Sequence, residues 1–175
     1  MKTTTEAGTT TANNFNLTKS PPVVITRFFN APLENVWRAF SNEELVKQWW
    51  GPETYTCPEA KIDFRVGGKS LLAMQDPKGD VVWSGGVYTE IEPYKKIVTT
   101  DHFADEKGNP ISAKEVGMPG DWPLDCKITI EFSDGNEEQV KIMINHEGIP
   151  KEMHDDCVEG WNSSIDKLQR LVESH

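Results

Sequence analysis

At 175 residues, 37% hydrophobic and 26% charged, the chain has the composition of one globular domain with a substantial core. Its net charge of -10 argues against a nucleic-acid partner, whose affinity comes from Lys and Arg meeting phosphates, and against binding to an anionic membrane surface. Cys57, Cys126 and Cys157 are odd in number and lack CxxC or Cys/His spacing, which argues against a zinc site or disulfide framework and for reduced thiols in a cytoplasmic protein.

Residues 1 to 20 are dominated by Thr, Asn and Gly and have no apolar h-region, so they are expected to form a disordered tail rather than a secretory signal. Residues 21–175 are expected to form a single domain. No apolar run approaches the ~18 residues of a membrane span. "VVITRFFN", Val23 to Asn30, is β-branched and aromatic and predicts a first strand. "APLENVWRAFSN" then repeats apolar residues at helical spacing through Leu33, Val36, Trp37 and Phe40. Ser41, with Glu44 three residues on, has the pattern of a capping box for a second short helix carrying Leu45, Val46, Trp49 and Trp50. Gly51-Pro52 ends that helix. Successive helical residues point about 100° apart, so one of the two tryptophans is expected in the core and the other towards a cavity mouth.

The middle of the chain predicts strands. In "TCPEAKIDFRVGG", Ile62, Phe64 and Val66 alternate before a Gly-Gly turn. "KSLLAMQ", "VVWSGGVYTEIEP" and "KKIVTTDHF" follow, with Gly85-Gly86 marking a bulge or a sharp bend. The segment between Ala104 and Leu124 has three Pro, three Gly and little periodicity, and predicts a long excursion. In "CKITIEF" and "QVKIMINHE" polar and apolar residues alternate, as in an antiparallel sheet with one wet face. After Pro150, the residues Met153, Cys157, Trp161, Ile165, Leu168 and Val172 form one stripe of a helix of about 22 residues, or ~33 Å at 1.5 Å per residue. The order predicts an α+β fold in which a curved antiparallel sheet of six to seven strands wraps around a long C-terminal helix, with two short helices after strand one.

Three segments carry a family resemblance: "RFFNAPLENVWRAFSNEELVKQWWGPE", "GGVYTEIEPYKKIVTT" and "EGWNSSIDKLQRLVE". The chain resembles the SRPBCC superfamily with its START-like, helix-grip fold, and within it the branch named after the activator of the HSP 90 ATPase. The resemblance spans about Pro22 to Ser174. It implies an apolar cavity between sheet and long helix, but not one activity, because fold and function separate freely.

No P-loop, GxSxG, HExxH or Rossmann pattern is present. The expected catalytic, metal and cofactor sets are therefore empty. Of the four histidines, His154 in "MHDD" fits a solvated helix start whose acids suit the N-terminal dipole. His102 is either a sheet-surface residue or a polar group in the cavity, with Asp101 on the other parity. Glu90 either faces solvent or is a buried carboxylate available as a general base. Trp50, Phe64, Met74, Trp83, Met143 and Trp161 are the apolar candidates for the cavity wall, and the same residue types also build cores. Trp122, in "GMPGDWP", is a candidate to close the mouth or meet a partner.

Three functions follow from these residues and the resemblance. The first is a cytoplasmic module, with a stress-related role, that holds a small apolar ligand. The second is a co-chaperone-like protein whose partner is an HSP 90-type chaperone. The third is a cyclase- or hydratase-like enzyme using Glu90 or His102, which requires an acid–base pair that the sequence does not locate.

Overall fold

A computed structural model describes residues 20–135 and 138–174. The expected tail, apart from Ser20, lies outside them. Seven antiparallel strands form one sheet among the described residues: β1 (Val23–Phe29), β2 (Ala60–Ile62), β3 (Lys69–Gln75), β4 (Val81–Glu92), β5 (Lys96–Ala104), β6 (Cys126–Asp134) and β7 (Val140–Glu147). Their spatial order is β1-β7-β6-β5-β4-β3-β2. Helices α1 (Leu33–Ser41) and α2 (Glu43–Trp49) follow β1, and α3 (His154–Glu173) closes the chain after a single 3-10 turn at Lys151–Met153. This is the helix-grip arrangement. No helix among the described residues is long and apolar enough to cross a membrane.

The sheet's inner face follows from strict alternation. Cys126, Ile128, Ile130 and Phe132 of β6 are buried, as are Val140, Ile142, Ile144 and His146 of β7. The register sets Ile128 opposite His146 and Ile130 opposite Ile144, so both rows share one face. Helix α3 lays Trp161, Ile165, Leu168 and Val172 against that face. Arg27 stands on the inward parity of edge strand β1 and reaches α3. Its guanidinium donates to Asp166 at 2.7 Å, Gln169 at 3.0 Å and Asn162 at 3.3 Å, fastening the edge to the helix.

The two ends of this inner space differ. At one end Trp37, Phe40, Trp49 and Phe132 stack edge to face at 5.0–5.5 Å and, with Ile165 and Leu168, fill the volume. Trp49 is almost fully buried, and its indole N–H donates to the Ala39 carbonyl at 2.8 Å. At the other end the helix side chains, Trp161 apart, are small and the space is hollow.

Local differences from the sequence expectations have simple causes. The cap of α2 is Asn42, whose side chain accepts from the Leu45 N–H at 3.1 Å. Ser41 still belongs to α1, where its hydroxyl donates to the Trp37 carbonyl, and Glu44 pairs with Lys47 instead of completing a capping box. Strand β2 stops at Ile62 because the chain turns at once, with Arg65 N–H donating to Asp63 and Gly68 N–H to Arg65. The β4–β5 bulge falls at Thr89, between the Tyr88 and Glu90 pairs. Gly86 instead marks a close approach of the two strands: a Cβ there would lie 2.1 Å from the Thr100 carbonyl oxygen. The Val87 N–H leaves the ladder and donates to the Thr100 hydroxyl.

Trp49→Ala is expected to cost about 3–5 kcal/mol of unfolding free energy in urea titration. A loss below about 1 kcal/mol would show that this ring does not anchor the filled end.

Candidate functional site

The hollow end is a cavity of about 710 Å³ between the sheet, the first half of α3, the Trp50–Tyr55 loop and the 111–124 excursion. On α3 the facing residues are Asp156, Cys157, Gly160, Trp161 and Ser164. A Cβ built at Gly160 would find no atom nearer than Pro52 Cγ at 4.0 Å, so the helix leaves open space there. From the sheet come Met74, Val82, Ser84, Asp101, Phe103, Cys126, Ile128 and His146. Leu124, 72% exposed, marks the rim.

The Trp50–Tyr55 loop is tied to α3. Gly51, at φ +96°, turns the chain out of α2, and the Lys167 ammonium donates to the carbonyls of Gly51, Pro52 and Tyr55 at 3.0–3.3 Å. Half-burial pushes the Lys167 pKa down. Arg170 holds both Glu53 carboxylate oxygens, and the Ser163 hydroxyl accepts from the Glu53 N–H.

One polar group set stands in this apolar room. Trp161 Nε1–H donates to His146 Nδ1 at 3.1 Å. An indole N–H is only a donor, so Nδ1 presents its lone pair and His146 carries its proton on Nε2. That nitrogen lies 3.1 Å from Asp101 Oδ2. The carboxylate is off the N–H axis, however, and Nε2 is left without an aligned hydrogen-bond partner. Trp50 Nε1 is also buried and unpartnered. The Trp50 and Trp161 rings meet edge to face at 5.8 Å.

Two thiols line the same region. Cys157 Sγ lies 3.8 Å from His146 Nδ1. Burial, with the nearby Asp101 charge, pushes Cys157 up to about 12, and burial, Asp101, Cys157 and Asp125 do the same to Cys126. At neutral pH both are thiols rather than thiolates and so are poor nucleophiles. Among the described residues no group of three or more His, Cys, Asp or Glu is placed to hold a metal ion.

Of the nine cavity candidates taken from the sequence, Trp50, Met74, His102, Trp122 and Trp161 stand in the wall. Trp122 is tucked down, its N–H donating to the Pro119 carbonyl and its ring edge-on to Phe103 at 5.1 Å. His102 belongs to the wall, but its ring lies over Gly85, where a Cβ would be 2.8 Å from Nε2, and its Nδ1 contacts Asp125 at 3.1 Å. Asp101, opposite Cys126 in the register, turns towards the interior on the parity alternate to His102, as the sequence alternation expects.

Four candidates lie elsewhere. Phe64, placed beyond the end of β2, packs on Trp37 and Tyr88 at the filled end. Trp83 sits opposite Ala73 and Ala104, on the parity alternate to Val82 and Ser84. Glu90 is exposed and pairs with Lys96 at 2.9 Å, so it is no buried general base. Met143 shares its parity with Lys141 and Asn145 and faces Thr26 and Glu131 across the ladder, on the outer face.

His146 has no role in the sequence reading, although the alternation Val140, Ile142, Ile144 leads directly to it. That parity is the signal that places it inward.

The sequence profile of the family described as activator of Hsp90 ATPase homolog 1-like protein matches residues 30–173. The chain belongs to this family. No curated protein matches it. A crystal structure of a Chromobacterium violaceum protein is 30% identical and superposes with a TM-score of 0.71, covering 87% of this chain and 97% of that one. An Arthrobacter aurescens protein solved by NMR is 23% identical, with a TM-score of 0.71 and coverage of 91% and 92%. The AHSA1 protein of Silicibacter pomeroyi is 20% identical, with a TM-score of 0.69 and coverage of 88% and 99%. The last two show likeness of fold alone.

The two raised thiols predict alkaline sensitivity. Their ordinary pKa is 9.0 and their folded value about 12, so between these pH values the unfolded chain loses protons that the folded chain keeps. Their contribution to stability is intact below pH 9.0 and is lost as pH rises towards 12. The urea midpoint of Cys157→Ala is expected to fall less than that of the parent between pH 8.5 and pH 10.5. Equal falls would show that Cys157 ionises as easily in the folded chain as in the unfolded one.

Proposed function

We propose that the protein is a cytoplasmic module that holds one small apolar molecule in its cavity. The observation that carries this reading is the cavity itself. Its volume of about 710 Å³ falls within the range of roughly 300–1,000 Å³ usual for ligand pockets. Its wall is mostly aromatic, aliphatic and thioether, with few polar groups. Met74, Met118 and Met153 lend it adaptability, because an unbranched thioether repacks around ligands of different shape. Carrier and sensor roles both use such a site, and the polar set offers no activated nucleophile. The family is described as activator of Hsp90 ATPase homolog 1-like, but no surface feature of the described residues favours an ATPase-activating reading over the cavity.

Gly160 supplies the test, because its replacement projects into the hollow and avoids the core. Nile red, a neutral apolar fluorophore, is expected to bind the parent at micromolar concentration with a blue shift and increased emission. Gly160→Leu should abolish the signal while the circular dichroism spectrum is kept. Gly160→Ala should be more stable than the parent by up to about 1 kcal/mol, since Gly is poor inside a helix. No saturable binding at tens of micromolar, or binding unchanged by Gly160→Leu, would contradict the proposal.

A further inference from the structure

We infer that the cavity takes a ligand with an apolar body and a protonated amine, that the ammonium pairs with the Asp101 carboxylate, and that carboxylate ligands are rejected. This rests on the ligand-holding reading and specifies its chemistry. Three observations converge on it.

The first is an accessible acceptor. Asp101 stands on the inward parity of β5, opposite Cys126, and belongs to the cavity wall. Its side chain is 26% exposed, so the carboxylate can be reached. The N–H groups of His146 Nε2 and Trp50 Nε1, by contrast, are sealed from the hollow. Asp101 Oδ2 lies 3.1 Å from His146 Nε2. Among the described residues no other side chain pairs with this carboxylate, which leaves Oδ1 for a donor that comes with the ligand.

The second is the missing countercharge. Trp161 N–H donates to His146 Nδ1, which keeps the imidazole beside Asp101 neutral. His102 turns its Nδ1 to Asp125 at 3.1 Å. Lys167 has its ammonium on three backbone carbonyls of the Trp50–Tyr55 loop. The wall itself contains Asp101 and Asp156 and no Lys or Arg.

The third is that the Asp101 charge is felt across the room. It adds to burial in pushing Cys126 and Cys157 up to about 12. Charges interact over such a distance only weakly in water and more strongly beside apolar walls.

These observations rank the ligand chemistries. Folding has already taken Asp101 partly out of water, so an arriving ammonium bears only its own desolvation and gains a charge-assisted hydrogen bond. A hydroxyl offers a weaker donor to the same oxygen. A hydrocarbon would cover the carboxylate and leave it without a partner. A carboxylate ligand would meet like charge with no cation to offset it.

Four naphthalenes of nearly equal size test the ranking: 2-(aminomethyl)naphthalene, 2-naphthylmethanol, 2-ethylnaphthalene and 2-naphthoate, each competing with Nile red on the full chain at pH 7. The amine is expected to displace the dye roughly ten-fold more effectively than the ethyl compound, the size of one hydrogen bond to a charged group. The alcohol should fall between them, and the naphthoate should be the weakest. Asp101→Asn keeps the shape and removes the charge. Within that variant the amine's advantage over the ethyl compound should shrink to about two-fold or less. Asp156→Asn should reduce the advantage by a smaller factor, because the inferred pair is with Asp101.

Equal competition by amine and ethyl compound on the parent chain would overturn the inference while leaving the ligand-holding reading intact, and this outcome needs no variant to fold. So would strongest competition by the naphthoate, or an amine advantage undiminished in Asp101→Asn. Failure of every compound, and of the dye itself, would instead remove the reading on which the inference rests.

Discussion

The structure depends on how α3 divides its length across the sheet. Its second half presents Ile165, Leu168 and Val172, which are buried and close one end of the grip. Towards its N-terminus and middle it presents Cys157, Gly160 and Ser164 at three- and four-residue spacing, so beside the one large ring of Trp161, which reaches His146, the helix leaves space unfilled. Interiors pack at crystal-like density, and a shortfall of this size is not absorbed by relaxation when both walls are rigid. Here the walls are held. Arg27 fixes the edge of the sheet to α3, and Lys167 with Arg170 fixes the loop after α2 to the same helix. Gly160 weakens the helix locally.

Two histidines, two aspartates and two cysteines line the hollow, but neither His146 nor the thiols are set up as a base or a nucleophile. Trp161 occupies the nitrogen through which His146 would act as a base. The thiols beside it are pushed up to about 12, largely by the burial that makes the room apolar. Activity in the superfamily would need a different arrangement of side chains on the same frame.

Much of the fold was legible in the sequence, because its signals are periodic. The α3 stripe and the β6 and β7 alternation report burial directly, and "QWWGP" marks the end of α2 through the preferences of Gly and Pro. The site was less legible, and β7 shows why. One strand supplies Met143 to the outer face and His146 to the cavity. Hydrophobicity favoured the methionine, whereas parity, counted from Ile142 and Ile144, favours the histidine. Which member of the Asp101–His102 pair faces inward was left open for a related reason: the β4–β5 ladder is broken at Gly86–Val87 and bulged at Thr89, and the sequence does not say how such irregularities rotate the strand. Phe64 was misplaced because the alternation Ile62, Phe64, Val66 continues past the point where Asp63 and Arg65 end the strand. Trp83 and Glu90 depended on which face of β4 is covered, a tertiary property that local sequence does not carry.

The six tryptophans offer a direct test of where the hollow lies. Trp50, Trp122 and Trp161 stand in its wall, while Trp37, Trp49 and Trp83 do not. A two-dimensional 15N spectrum resolving the indole N–H signals, recorded during titration with a neutral apolar ligand, separates the two groups. The account predicts saturable shifts for Trp50, Trp122 and Trp161 with one common affinity, and unmoved signals for Trp49 and Trp83. Shifts centred on Trp37, Trp49 or Trp83, with the signals of Trp50 and Trp161 unmoved, would contradict it.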